Sequence, residues 1–126
     1  MKLRTLPYDL SVCQVPSVTD ATLALDFFFI CRTDEEVSLV CQTENVPKET
    51  TNREDGWRAF RFEGTLDFSL VGILSKVSGI LAEEKISIFV TSTYNTDYVL
   101  VKAKDLERAV KALEEAGYEW SEGGLG

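Results

Sequence analysis

Two positions in this chain combine residue type and placement in a way that could do chemistry. Gly72 falls in the opening turn of a segment with helical periodicity, where the first backbone N–H groups have no carbonyl partner within the helix. A glycine there admits another backbone or a small anion, and a helix start favours a carboxylate. The second position is Asp97, just past a bend, with Thr93, Tyr94 and Asn95 on the other arm. A carboxylate so placed can accept from an ammonium group, and a tyrosine face can cover a cation or an aliphatic stem. Both have plainer readings. Gly72 can be a packing glycine under a strand, and Asp97 a turn aspartate bonded to its own backbone.

Other chemistry is hard to assemble. The chain has no histidine, so the commonest general base and zinc ligand are missing, and Ser-His-Asp or Cys-His hydrolysis is excluded within one chain. Glu83-Glu84 and Glu114-Glu115 read as solvated helix faces, and Asp34-Glu35-Glu36 lacks calcium-loop spacing. No phosphate-cradling glycine motif occurs. Lys102 and Lys104 read as exposed charges, and Cys13, Cys31 and Cys41 as three small buried strand residues. No metal and no cofactor are expected.

The elements that must position Gly72 and Asp97 are clearest in the C-terminal half. Trp57 to Glu63 reads as a strand, with aromatic residues at 57, 60 and 62. Leu70, Ile73, Leu74, Val77 and Leu81 fall at helical spacing, with Ser69 as N-cap. Ile86, Ile88 and Val90 alternate as a strand does; Asn95-Thr96 bends the chain, and Tyr98 to Val101 returns it. Asp105 opens a last helix with the stripe Leu106, Ala109, Val110 and Leu113; Gly117 sits at its left-handed end, and Tyr118 to Ser121 supplies a final strand. The order is βαββαβ, an α+β, ferredoxin-like arrangement with an antiparallel sheet and helices on one face.

The N-terminal half is an abbreviated version. Strands are expected at Leu10–Val15, Phe27–Arg32 and Ser38–Gln42, with Thr33 to Glu36 forming a capping box and one helical turn. The run from Thr43 to Gly56 reads as a polar connecting loop. The expected division is therefore 1–50 and 51–126.

Composition bounds the rest. At 126 residues, 44% hydrophobic and 27% charged, the chain is ordinary globular material. A formal charge of −8 argues against a nucleic-acid partner, which needs a basic stripe. No segment approaches the roughly 20 apolar residues of a membrane span, and Met1 to Pro7 lacks the features of a secretory leader, so no membrane partner and a cytoplasmic location are expected.

The C-terminal half resembles an ACT domain of the kind found in aspartate kinases. The likeness lies in Gly72-Ile73-Leu74, in Ile86-Ser87-Ile88-Phe89, and above all in Ser92-Thr93-Tyr94-Asn95-Thr96-Asp97-Tyr98-Val99-Leu100-Val101. Cys31 to Cys41 is similar to the first half of small stand-alone bacterial proteins with two ACT-like halves. The resemblance implies a non-catalytic regulatory module that binds an amino acid at the junction of two ACT units. It places the ligand carboxylate at Leu70, Gly72, Ile73 and Leu74, and the ammonium or side chain at Thr93, Tyr94 and Asp97. Apolar runs such as Phe27-Phe28-Phe29 suggest a homodimer. The competing readings are a small enzyme using Asp97, Glu63 or Asp67, and a purely structural pairing module.

Overall fold

The computed structural model describes residues 1–64 and 72–121. The described elements are β1 (Lys2–Thr5), β2 (Leu10–Val15), α1 (Asp20–Leu23), β3 (Phe28–Arg32), β4 (Val37–Gln42), β5 (Asn52–Phe62), α2 (Ile73–Glu83), β6 (Ile88–Ser92), β7 (Asp97–Lys102), α3 (Leu106–Glu115) and β8 (Glu119–Trp120). Short 3₁₀ turns, Thr43–Asn45 and Ala103–Asp105, follow β4 and β7. Contacts gather the chain into two units: Tyr8–Trp57, and Met1–Pro7 together with Arg58 onward. Strand β1 thus belongs with the second unit, although a cut at residue 50 would assign it to the first.

In the first unit β2 pairs antiparallel with β4, from Leu10↔Gln42 to Val15↔Val37, and β3 lies on the far side of β4. The start of β5 covers the other side of β2, with Val12↔Glu54 and Gln14↔Asn52, past an irregularity between Leu10 and Val12. Alternate residues Cys13, Val15, Leu39 and Cys41 turn to one face and form a small core with Phe28, Ile30 and Val37.

Three expectations change here. Asn52 to Gly56 is strand rather than loop; its side chains are exposed, so they are polar, and backbone pairing with β2 holds it. Thr33 to Glu36 forms a hairpin turn rather than a helical one. Thr33 does accept from the Glu35 and Glu36 amides, but its own N–H donates to the Glu36 carbonyl at 2.9 Å, and the Glu36 carboxylate takes the Ser38 hydroxyl. Cys31 is exposed, because it sits on the face of β3 opposite Cys41, Leu39 and Ile30.

The second unit runs β5-α2-β6-β7-α3-β8, the expected βαββαβ order of an α+β ferredoxin-like fold, with strands in the sequence β6-β7-β5-β1-β8. Strand β1 is inserted between β5 and β8. It runs antiparallel to β5 and parallel to β8. Helices α2 and α3 lie on one face of this sheet. Val77, Leu81, Leu106, Ala109, Val110 and Leu113 close over Leu3, Phe60, Phe62, Val99 and Val101. Each fully buried Leu or Phe in that layer contributes about 1.5–3 kcal/mol of transfer free energy.

The two units contain a repeated hairpin. Every residue of β3–β4 has a counterpart in β6–β7 numbered sixty higher, from Phe28 and Ile88 to Gln42 and Lys102, and the 3₁₀ turns after them obey the same offset. The pairings match as well: Arg32↔Val37 corresponds to Ser92↔Asp97, and Ile30↔Leu39 to Val90↔Val99. The helices before the hairpins differ, with four residues in α1 and eleven in α2.

Candidate ligand site

Helix α2 begins at Ile73, and Gly72 is its N-cap, with φ of 77°. That left-handed conformation explains the glycine, since a side chain there would strain the backbone. A Cβ at Gly72 would meet no atom within 4 Å, so the position is open rather than packed under a strand. No side chain caps the helix start, and the Gly72 carbonyl accepts from the Lys76 amide at 2.9 Å. The amides of Ile73, Leu74 and Ser75 therefore have no intrahelical acceptor. The expected cap Ser69 and the candidate Leu70 lie outside the described residues, as does Asp67.

A cavity of about 300 Å³ opens at this helix start, lined by Met1, Gly72, Ile73, Lys76 and the turn Ala116-Gly117-Tyr118. Lys76 stands one turn into α2, on the side of Gly72 and Ile73. It and the turn before β8 are lining residues that the sequence reading missed. The spacing Gly72 to Lys76 at a helix start is the signal that could have found the lysine. Burial pushes the Tyr118 phenol above its ordinary value, so it is neutral at physiological pH. Leu74 is half-buried and packs against the helix-side core.

The hairpin residues lie at the same end of the second unit. The Thr96 hydroxyl, itself buried, donates to the carbonyl of Phe62, the last residue of β5, at 3.3 Å. Glu63 N–H donates to Lys2, and Lys2 pairs with Glu119, so the end of β5 and the starts of β1 and β8 coincide. The β6–β7 turn, Gly72 and the Gly117 turn therefore share one rim. Thr93, Tyr94 and Asp97 do not themselves line the cavity.

Each hairpin residue has a defined role. Thr93 closes the turn: its N–H donates to the Thr96 carbonyl at 2.8 Å, and its hydroxyl donates to that carbonyl and accepts from the Thr96 amide. Tyr94 is 79% exposed at the tip. Asp97 is half-buried and accepts from the Ser92 hydroxyl across the strand pair at 2.5 Å, rather than from its own turn backbone. Glu63 is held by the Ser121 hydroxyl at 2.7 Å and by Arg4, which keep its carboxyl below the usual range. That leaves Glu63 an ionised structural acid.

A family model described as ACT domain matches residues 52–115. The chain belongs to the ACT-domain family. A protein from Agobacterium tumefaciens solved by structural genomics is 31% identical over 95% of this chain and 91% of its own, with a TM-score of 0.85. The regulatory subunit of aspartate kinase from Thermus thermophilus, in its ligand-free form, shares the fold at 10% identity and a TM-score of 0.67, covering 91% of this chain and 96% of that one. Aspartate kinase from Synechocystis matches 96% of this chain with 27% of its own length, at 14% identity and a TM-score of 0.67. No curated protein matches the chain. Among the described residues no helix is long and apolar enough to cross a membrane, and no group of His, Cys, Asp and Glu could hold a metal ion.

Proposed function

We propose that this ACT-domain protein is a non-catalytic regulatory module that binds an amino acid at the α2 end of its second unit. The observation that carries the reading is the uncapped start of α2 at Gly72, open onto a cavity on the same rim as Asp97. The ligand carboxylate takes the amides at Ile73 and Leu74, where the helix dipole favours negative charge and Lys76 adds a cation. The ammonium or side chain lies toward Tyr94 and Asp97, with Thr93 and Thr96 fixing the turn. The regulatory subunit of the Thermus thermophilus aspartate kinase shares this fold, which supports a regulatory rather than catalytic role. Both units, Tyr8–Trp57 and Met1–Pro7 with Arg58 onward, are proposed as ACT-like, in a cytoplasmic homodimer.

A thermal-shift screen against the common L-amino acids tests this reading. A true ligand at a hundredfold over its dissociation constant adds about 2.7 kcal/mol to stability. Absence of stabilisation by every amino acid would leave the pairing-module reading, and turnover of any of them would favour the enzyme.

A further inference from the structure

The repeated hairpin separates what the fold needs from what a ligand needs. Features present in both copies serve the scaffold. Thr33 and Thr93 close their turns with equivalent bonds: the N–H donates to the carbonyl three residues on, and the hydroxyl accepts from the amide there. The return strands β4 and β7 bury the same positions, and both lead into a 3₁₀ turn.

Features present in one copy only are a different set, and they concentrate in the second. Asp97, bonded to Ser92, stands where the first copy has Val37 opposite Arg32. Tyr94 stands where the first copy has Asp34. Thr96 is buried and its side chain fastens the turn to Phe62, while the side chain of its counterpart Glu36 is exposed and accepts from Ser38. The first copy also lacks the long helix: α1 is a single turn whose start is already capped by the Thr19 hydroxyl.

Resting on the amino-acid reading above, we infer that the chain holds one ligand site, not one per repeat. Tyr94 and Asp97 are the hairpin residues that read the ligand. Thr93, whose hydroxyl is engaged in the turn, positions them as Thr33 does in a copy that binds nothing.

Calorimetric titration of the full chain tests this, using the L-amino acid that stabilises it most in the thermal screen. The expected result is no more than one ligand per chain, with affinity unchanged within about twofold in the first-copy variants Asp34→Ala and Val37→Ala. Two ligands per chain, or a tenfold loss in either variant with the melting temperature unchanged, would overturn the single-site inference while leaving amino-acid binding intact. No heat and no stabilisation with any amino acid would remove the binding reading itself and this inference with it.

Discussion

Thr33 and Thr93, sixty residues apart, close their hairpins with the same bonds: Thr33 N–H to the Glu36 carbonyl at 2.9 Å, and Thr93 N–H to the Thr96 carbonyl at 2.8 Å, each hydroxyl accepting the amide three residues on. From Phe28 to Asn45 the two copies agree in residue type only here and at Phe29 and Phe89. The backbone repeats while nearly every side chain has changed.

Removing either hydroxyl should therefore destabilise in the same way. Thr33→Val and Thr93→Val are each expected to cost about 0.5–1.5 kcal/mol, the net worth of an ordinary hydrogen bond. Urea denaturation of both variants measures this. A cost confined to Thr93→Val would mean that the turns are not equivalent.

Strand β1 completes the second unit from the other end of the sequence. Leu3 is fully buried against Phe60, Phe62 and the helices, and Trp120 donates to the Thr5 hydroxyl at 2.7 Å. Leu3→Ala should cost about 2–5 kcal/mol, the transfer term plus the cavity left behind. A fragment beginning at residue 51 should lack cooperative unfolding by circular dichroism, because the inserted strand is missing.

The legibility of the fold follows from burial. Helix α3 was readable because Leu106, Ala109, Val110 and Leu113 are all buried on one stripe, and β2 because Leu10, Cys13 and Val15 are buried and apolar. The start of β5 was not, since Asn52 to Gly56 is held by backbone bonds and shows water a set of loop-like side chains. Strand β1 has four residues and takes its partners from positions 60–62 and 119–120, which no local pattern reveals. At the candidate site, Gly72 and Asp97 were visible by type and placement. Lys76 was legible only through its spacing of four from Gly72, and Tyr118 not at all, because its relation to Gly72 depends on how the chain closes around the cavity.

The three cysteines should respond differently to thiol reagents. Burial pushes the Cys13 thiol up and the Cys41 thiol to about 11, whereas Cys31 is exposed. A disulfide dye at mildly alkaline pH should label Cys31 quickly and the other two only after denaturation. Because the folded Cys41 value is raised, its contribution to stability is complete below the ordinary thiol range. It is lost as pH climbs toward about 11. Rapid labelling of all three in the native protein would contradict the buried pair.

Acid should act through Glu63 and Asp55. Ser121, with Arg4, lowers the Glu63 carboxyl; Arg53 and then Ser11 lower that of Asp55. Depressed folded values mean that the stabilisation is present above the ordinary carboxylate range and fades as pH falls through the folded values. Carboxyl NMR titration should show both midpoints below the usual values, with Ser121→Ala raising that of Glu63 alone. An unmoved Glu63 midpoint in that variant would exclude the serine as its main partner.

If an amino acid is held between the α2 start and the hairpin acid, Asp97→Ala weakens its binding, and calorimetry measures by how much. Asp97 is half-buried and bonded to Ser92 on the exposed rim, so its removal should leave the fold intact. With the amino acid found in the thermal screen, the expected loss is roughly 1.5–3 kcal/mol, the usual worth of a hydrogen bond to a charged group. Wild-type affinity in Asp97→Ala would contradict it and leave the aspartate a residue of the turn alone.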